Sequence, residues 1–79
     1  MTLDQLKVGQ TAVITEVNGT GELRLHLLDM GLIPKTKVTV YKVAPLGDPI
    51  EIHLRSYSMT LRKEDAANIV VSLKDGELR

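Results

Sequence analysis

The stretch Lys37-Val38-Thr39-Val40-Tyr41-Lys42-Val43-Ala44-Pro45-Leu46-Gly47-Asp48-Pro49-Ile50-Glu51-Ile52-His53-Leu54-Arg55 decides the fold. In its second half Ile50, Ile52 and Leu54 alternate with Glu51, His53 and Arg55, the period-2 pattern of a strand with one buried face. In its first half Val38 and Val40 share a face, but Val43 falls out of phase with them. One extra residue near Tyr41 restores the alternation, which predicts a bulge or sharp bend there. The connection between the halves is larger than a hairpin requires, since two loop residues suffice. Pro45 and Pro49 fix φ and remove two backbone donors, while Gly47 is free to take positive φ. Leu46 stands at the tip, where an apolar side chain has little core to reach. A stiff loop holding out an apolar residue is a candidate contact surface.

Outward from this hairpin the period-2 signal dominates. Thr11 to Val17 reads as a first strand, and Asn18-Gly19-Thr20-Gly21 as a turn leading into a helix, Glu22 to Met30. Gly31 stands where a helix C′ glycine belongs, and Pro34 follows at the usual distance for a stop. Met59 and Leu61 mark a short fourth strand, Lys63 to Asn68 a single helical turn, and Ile69, Val71 and Leu73 a fifth strand. The expected fold is mainly β: a small SH3-like barrel of five to six strands with one inserted α-helix at about 22–30 and a helical turn near 63–68. Closure of such a barrel removes the edges that a tiny sheet exposes. An OB-fold also has five strands and a helix, but its helix lies between strands three and four. Here the helix lies between strands one and two. Residues 1–79 are expected to form a single domain, with its core at about 8–73 and a flexible tail at 74–79.

Composition excludes several functions. Ten basic residues balance ten acidic ones, so nothing favours a polyanionic partner such as nucleic acid. The chain has no cysteine, which removes disulfides, thiolate metal ligands and thiol redox chemistry and suits a reducing cytoplasm. No apolar run approaches the ~20 residues that span a bilayer, so direct membrane insertion is not expected. Met1-Thr2-Leu3-Asp4 lacks the basic and apolar regions of a signal peptide. With Tyr41 and Tyr57 as the whole aromatic complement, neither a proline-peptide groove nor a base-stacking platform is available. Arg55, Arg62 and Lys63 read as solvated surface charges.

The helix carries two apolar groups. At ~100° per residue, Leu23, Leu27 and Met30 cluster on one side, and Leu25 and Leu28 pair on nearly the opposite side. Either Leu3 and Leu6 fold back over that second pair, or the pair docks against another protein. Between them runs a polar strip of Glu22, His26 and Asp29. One His and two carboxylates are a donor set for Fe²⁺, Mn²⁺ or Zn²⁺, yet the same residues make an ordinary solvated helix face. There is no Ser-His-Asp or Cys-His arrangement and no phosphate-binding glycine loop, so the chain is not expected to be an enzyme.

Three segments resemble the FeoA family, the small accessory proteins of bacterial ferrous-iron uptake. In Leu25 to Pro34, LHLLDMGLIP, residues Leu27, Met30, Gly31, Leu32 and Pro34 match the helix-plus-turn signature. Lys35 departs, standing where the family most often has Gly. Ala44 to Pro49, APLGDP, matches the family's most recognisable motif without a substitution. Leu61 to Val71 is similar to the family's ending, with Ser56 before it in place of a common Gly. The barrel is also similar to the C-terminal domain of iron-dependent repressors, in which a DNA-binding domain precedes it. This chain begins with its own Met, which favours a free-standing protein.

The resemblance implies a non-enzymatic, cytoplasmic accessory protein that binds and regulates or assembles a FeoB-type GTP-binding iron permease. It would be recruited through that partner to the inner face of the plasma membrane. Partner contact is expected at Pro45, Leu46, Gly47, Asp48 and Pro49, extended by Leu25, Leu28 and Leu32; Asp48 has the alternative of capping the turn through its own backbone. No cofactor is required on this reading. The alternative is a transition-metal sensor, with Glu22, His26 and Asp29 taking up Fe²⁺ weakly. A third reading is an orphaned repressor domain that binds a proline-rich linker. Spare leucines and exposed strands also leave weak pairing of two copies open.

Overall fold

The computed structural model describes residues 1–73; the expected tail at 74–79 lies outside them. Five strands, β1 (Thr11–Val17), β2 (Lys37–Val43), β3 (Ile50–His53), β4 (Ser58–Leu61) and β5 (Ile69–Leu73), form one antiparallel sheet in the order β4-β3-β2-β1-β5. Helix α1 (Gly21–Asp29) joins β1 to β2, and the one-turn helix α2 (Lys63–Ala66) joins β4 to β5. This is the SH3-like arrangement expected, with five strands among the described residues. The nearest approach to a sixth is an isolated bridge between Thr2 and Val70. Helix α1 keeps the expected length but starts and ends one residue earlier, with Met30 as its C-cap, and α2 is shorter than its pattern suggests because Ala67 serves as its C-cap.

Two bulges bend the sheet. The β2–β3 register shifts between Val40 and Lys42, leaving Tyr41 as the extra residue. Val38 and Val40 are thereby kept in the core while Tyr41 and Lys42 face solvent. A second shift, between Ile14 and Glu16 in the β1–β5 ladder, does the same for β1. Ala12 and Ile14 point inward before it and Val17 points inward after it, across an interval of three residues. The core these strands enclose is entirely apolar among the described residues, with Leu3, Ile14, Leu27, Leu32, Ile52 and Ile69 as its largest fully buried side chains. Each such side chain contributes roughly 1.5–3 kcal/mol when removed from water.

β3 is shorter than its alternation implies. The ladder stops at His53, because the Leu54 N–H turns to the Tyr57 carbonyl at 2.7 Å and closes a tight β3–β4 turn. Leu54 nevertheless stays buried, so the alternation correctly marks which side chains point inward even where pairing ends.

The N-terminal residues take a different place from the one expected. Leu3 and Leu6 are buried, but the 3-10 turn Leu3–Gln5 packs against α2 and β5. It leaves Leu25 60% exposed. The apolar pair Leu25–Leu28 is likewise split. Leu28 lies half-buried at the core margin with Leu23 and Met30, whereas Leu25, one turn before it, faces solvent. Among the described residues, no helix is long and apolar enough to cross a membrane.

Candidate interaction surface

The loop 44–49 is closed by the Ala44 N–H donating to the Pro49 carbonyl at 3.0 Å. Within it the Gly47 N–H donates to the Ala44 carbonyl at 2.7 Å, with Gly47 at φ +89°. That value is in the left-handed region, where glycine carries no Cβ penalty. Pro45 and Pro49 flank this turn, and Leu46 is 96% exposed at its tip. Asp48 neither caps its own turn nor hangs free: its Oδ1 accepts the Lys63 N–H at 3.0 Å. Lys63 opens α2, so the loop is fastened to a helix start that lacks a side-chain cap from Arg62. The acceptor satisfies one of the unpaired donors of that first turn.

The helix end is built with equal economy. The Leu32 N–H bonds the Leu27 carbonyl at 3.2 Å and the Gly31 N–H bonds the Leu28 carbonyl at 3.0 Å. With Gly31 at φ +100°, this is a Schellman cap. The Tyr57 hydroxyl donates to the Met30 carbonyl at 2.7 Å and lies where a Cβ on Gly31 would stand. Around this cap, the half-exposed Ile33 and Tyr57 line a cleft of about 230 Å³. Neither residue stands out in sequence, since Ile33 sits in a connection with no periodicity and Tyr57 in a turn.

The structure withdraws several sequence-based candidates. Leu32 is fully buried and belongs to the core, because the Schellman turn carries it back under the helix. It therefore offers no surface to a partner. Glu22, His26 and Asp29 do not converge: among the described residues, no three His, Asp or Glu side chains are grouped to hold one metal ion. The reason lies in helix rise, since positions seven apart are about 10 Å apart along the axis. Sharing a strip is not sharing an ion.

The outer face of β2 and β3 brings together residues that the sequence reading kept apart. Tyr41 stacks on His53 with ring centroids 4.3 Å apart, and the Thr11 and Thr39 hydroxyls lie 2.8 Å apart. Glu51 Oε2 is 4.0 Å from His53 Nε2. Beside them Lys35, Lys37, Thr39, His53, Leu54 and Arg55 line a cleft of about 440 Å³. Arg55 belongs with the two lysines there, not with Arg62 and Lys63. Alternation in each strand was the available signal, because positions 37 and 39, and 53 and 55, share faces.

Comparison with known proteins decides the family, since the family model described as FeoA domain matches residues 1–73. The chain belongs to the FeoA family. A Porphyromonas gingivalis protein described as a Fe(2+) transport protein A/Fe(2+) transporter FeoB fusion protein is 42% identical over 73 residues. The match covers 92% of this chain but 9% of that protein. A Campylobacter jejuni protein described as Putative Fe(2+) transport protein A is 33% identical over 92% of this chain and 99% of its own length. The solution structure of iron(II) transport protein A from Clostridium thermocellum superposes with a TM-score of 0.90 at 38% identity, covering 96% of this chain and 47% of that one.

Two more distant likenesses bear on the fold alone. One is to a Stenotrophomonas maltophilia FeoA described as a procaryotic SH3 domain protein complexed with zinc, with a TM-score of 0.81 at 24% identity over 91% of this chain and 89% of that one. The other is to a manganese-dependent transcriptional repressor, with a TM-score of 0.83 at 15% identity over 92% of this chain and 36% of that one. The barrel shared with metal-dependent repressors is thus present in this FeoA chain. Within the family, Lys35 acquires a physical meaning. Its φ of +76° is the only positive value at a non-glycine among the described residues. A glycine, the residue expected there from the resemblance, would suit that backbone, and lysine is held there at a cost.

Proposed function

We propose that this chain is a non-enzymatic accessory protein of ferrous-iron uptake that binds the cytoplasmic side of a FeoB-type permease and regulates or assembles it. The observation that carries this reading is the Porphyromonas gingivalis relative, described by name as transport protein A and transporter FeoB in one fused polypeptide. Fusion of two chains suits partners that work at a fixed effective concentration. Ferrous iron is then the permease's cargo, and the accessory chain requires no cofactor of its own.

Leu46 is the proposed anchor. Its exposure, the two flanking prolines and the Asp48–Lys63 hydrogen bond support this role, because a preordered apolar tip loses little entropy on docking. Leu25, exposed on α1, is the second proposed contact, with Leu28 at its margin. No hydrogen bond among the described residues joins the loop to α1, so the two serve as separate points. The test is capture of the permease's cytoplasmic GTP-binding domain by the full chain, with and without guanine nucleotide, comparing wild type with Leu46→Asp.

A further inference from the structure

The β2–β3 ladder ends at Thr39↔His53, although β2 extends back to Lys37 and the chain beyond β3 continues through Leu54 and Arg55. The cleft of about 440 Å³ lies where these two segments part. Lys35 and Lys37, from the β2 side, and Arg55, from beyond β3, line it together with His53, whose ring is stacked on Tyr41. None of the lining residues is acidic, and Lys35, Lys37 and Arg55 make no ion pair among the described residues. In a chain of zero net charge this is a local concentration of one sign. Glu51 is not among the lining residues, though its Oε2 is 4.0 Å from His53 Nε2.

The backbone adds direction to the charge. The Thr36 carbonyl bonds β1 through the Ile14 N–H, so the alternation of ladder bonds turns the N–H and C=O of Lys37 away from β1 and toward the cleft. Lys35 lines the same cleft from its left-handed backbone position. A costly conformation held beside a ligand-sized space is an observation from which function can be inferred.

We propose that this cleft binds an extended acidic segment of a protein partner, its carboxylates paired with Lys35, Lys37 and Arg55 and its backbone laid along Lys37. A polynucleotide fits less well. The cationic wall is short, the rest of the chain carries ten acidic residues, and the ring of Tyr41 is already stacked on His53. The site is distinct from the Leu46 loop and does not depend on the identity of the permease as partner.

The test is an NMR titration of the full chain at low salt with a ten-residue Glu-Ser repeat peptide. A Lys-Ser repeat, inorganic phosphate and a single-stranded oligonucleotide serve as controls. The expected result is movement of the amide resonances of 35–39 and 53–55 with the acidic peptide alone. Arg55→Gln and Lys37→Gln should each weaken it about tenfold or more. Lys35→Gly is the decisive variant, since it should raise thermal stability while lowering peptide affinity. Shifts that map elsewhere, equal binding of phosphate or oligonucleotide, or affinity unchanged in all three variants would overturn the proposal.

Discussion

The carboxylate of Asp48 accepts the backbone N–H of Lys63 at 3.0 Å, which ties the β2–β3 loop to the first turn of α2 across 15 positions of sequence. Two exposed elements thereby hold each other in place. Removing the acceptor, as in Asp48→Ala, should cost about 1 kcal/mol, the usual loss for a helix-start cap. Urea denaturation measures it, and Asp48→Asn should recover much of the loss because its side-chain oxygen still accepts.

Gly31 faces two constraints at once, a φ of +100° and the Tyr57 hydroxyl occupying the space of its missing Cβ. Gly31→Ala is expected to destabilise by at least about 1–2 kcal/mol from backbone conformation alone. A double-mutant cycle with Tyr57→Ala separates the causes. Relief of the overlap should make the paired cost smaller than the sum of the single costs, leaving only the conformational part. Strict additivity would show that the hydroxyl is not the obstacle.

At Lys35 the expectation reverses. Lys35→Gly should stabilise the chain by about 1 kcal/mol, because glycine takes φ +76° without the clash an L side chain suffers. A fall in the midpoint of thermal unfolding would contradict the strain assigned to this position.

Leu27 and Leu46 are both leucines within recognised motifs, and the structure gives them opposite roles. Leu27 is fully buried, and Leu27→Ala should cost about 2–5 kcal/mol, a large part of the roughly 5–15 kcal/mol available to a domain. Leu46 touches no core, and Leu46→Asp should change stability by no more than about 0.5 kcal/mol. Paired denaturation curves of the two variants check the contrast.

The strands, the helix end and the bulge at Tyr41 were readable because each rests on local periodicity or on one glycine. Val43 out of phase with Val40 was enough to place an extra residue between them. The second bulge left the same trace in Ala12, Ile14 and Val17, but its interval resembles an ordinary strand end. What could not be read was where non-local packing sends a side chain. Leu32 follows a helix stop, yet the Schellman turn buries it. Leu3 and Leu6 fill the core from the side of α2 and β5, and Leu25 is left uncovered. Helical spacing placed Glu22, His26 and Asp29 on one strip, while the axial rise separates them beyond one ion's reach. The basic cleft needed the parting of β2 and β3, which no single strand's pattern reveals.

Leu46 is the proposed anchor of a protein contact. The most direct measurement is the affinity of the full chain for the cytoplasmic GTP-binding domain of the permease, by calorimetry, for wild type and Leu46→Asp, with unfolding curves recorded on the same samples. An affinity loss of about tenfold or more, equal to about 1.4 kcal/mol, is expected with stability unchanged. Wild-type affinity retained by a fully folded Leu46→Asp chain would contradict it.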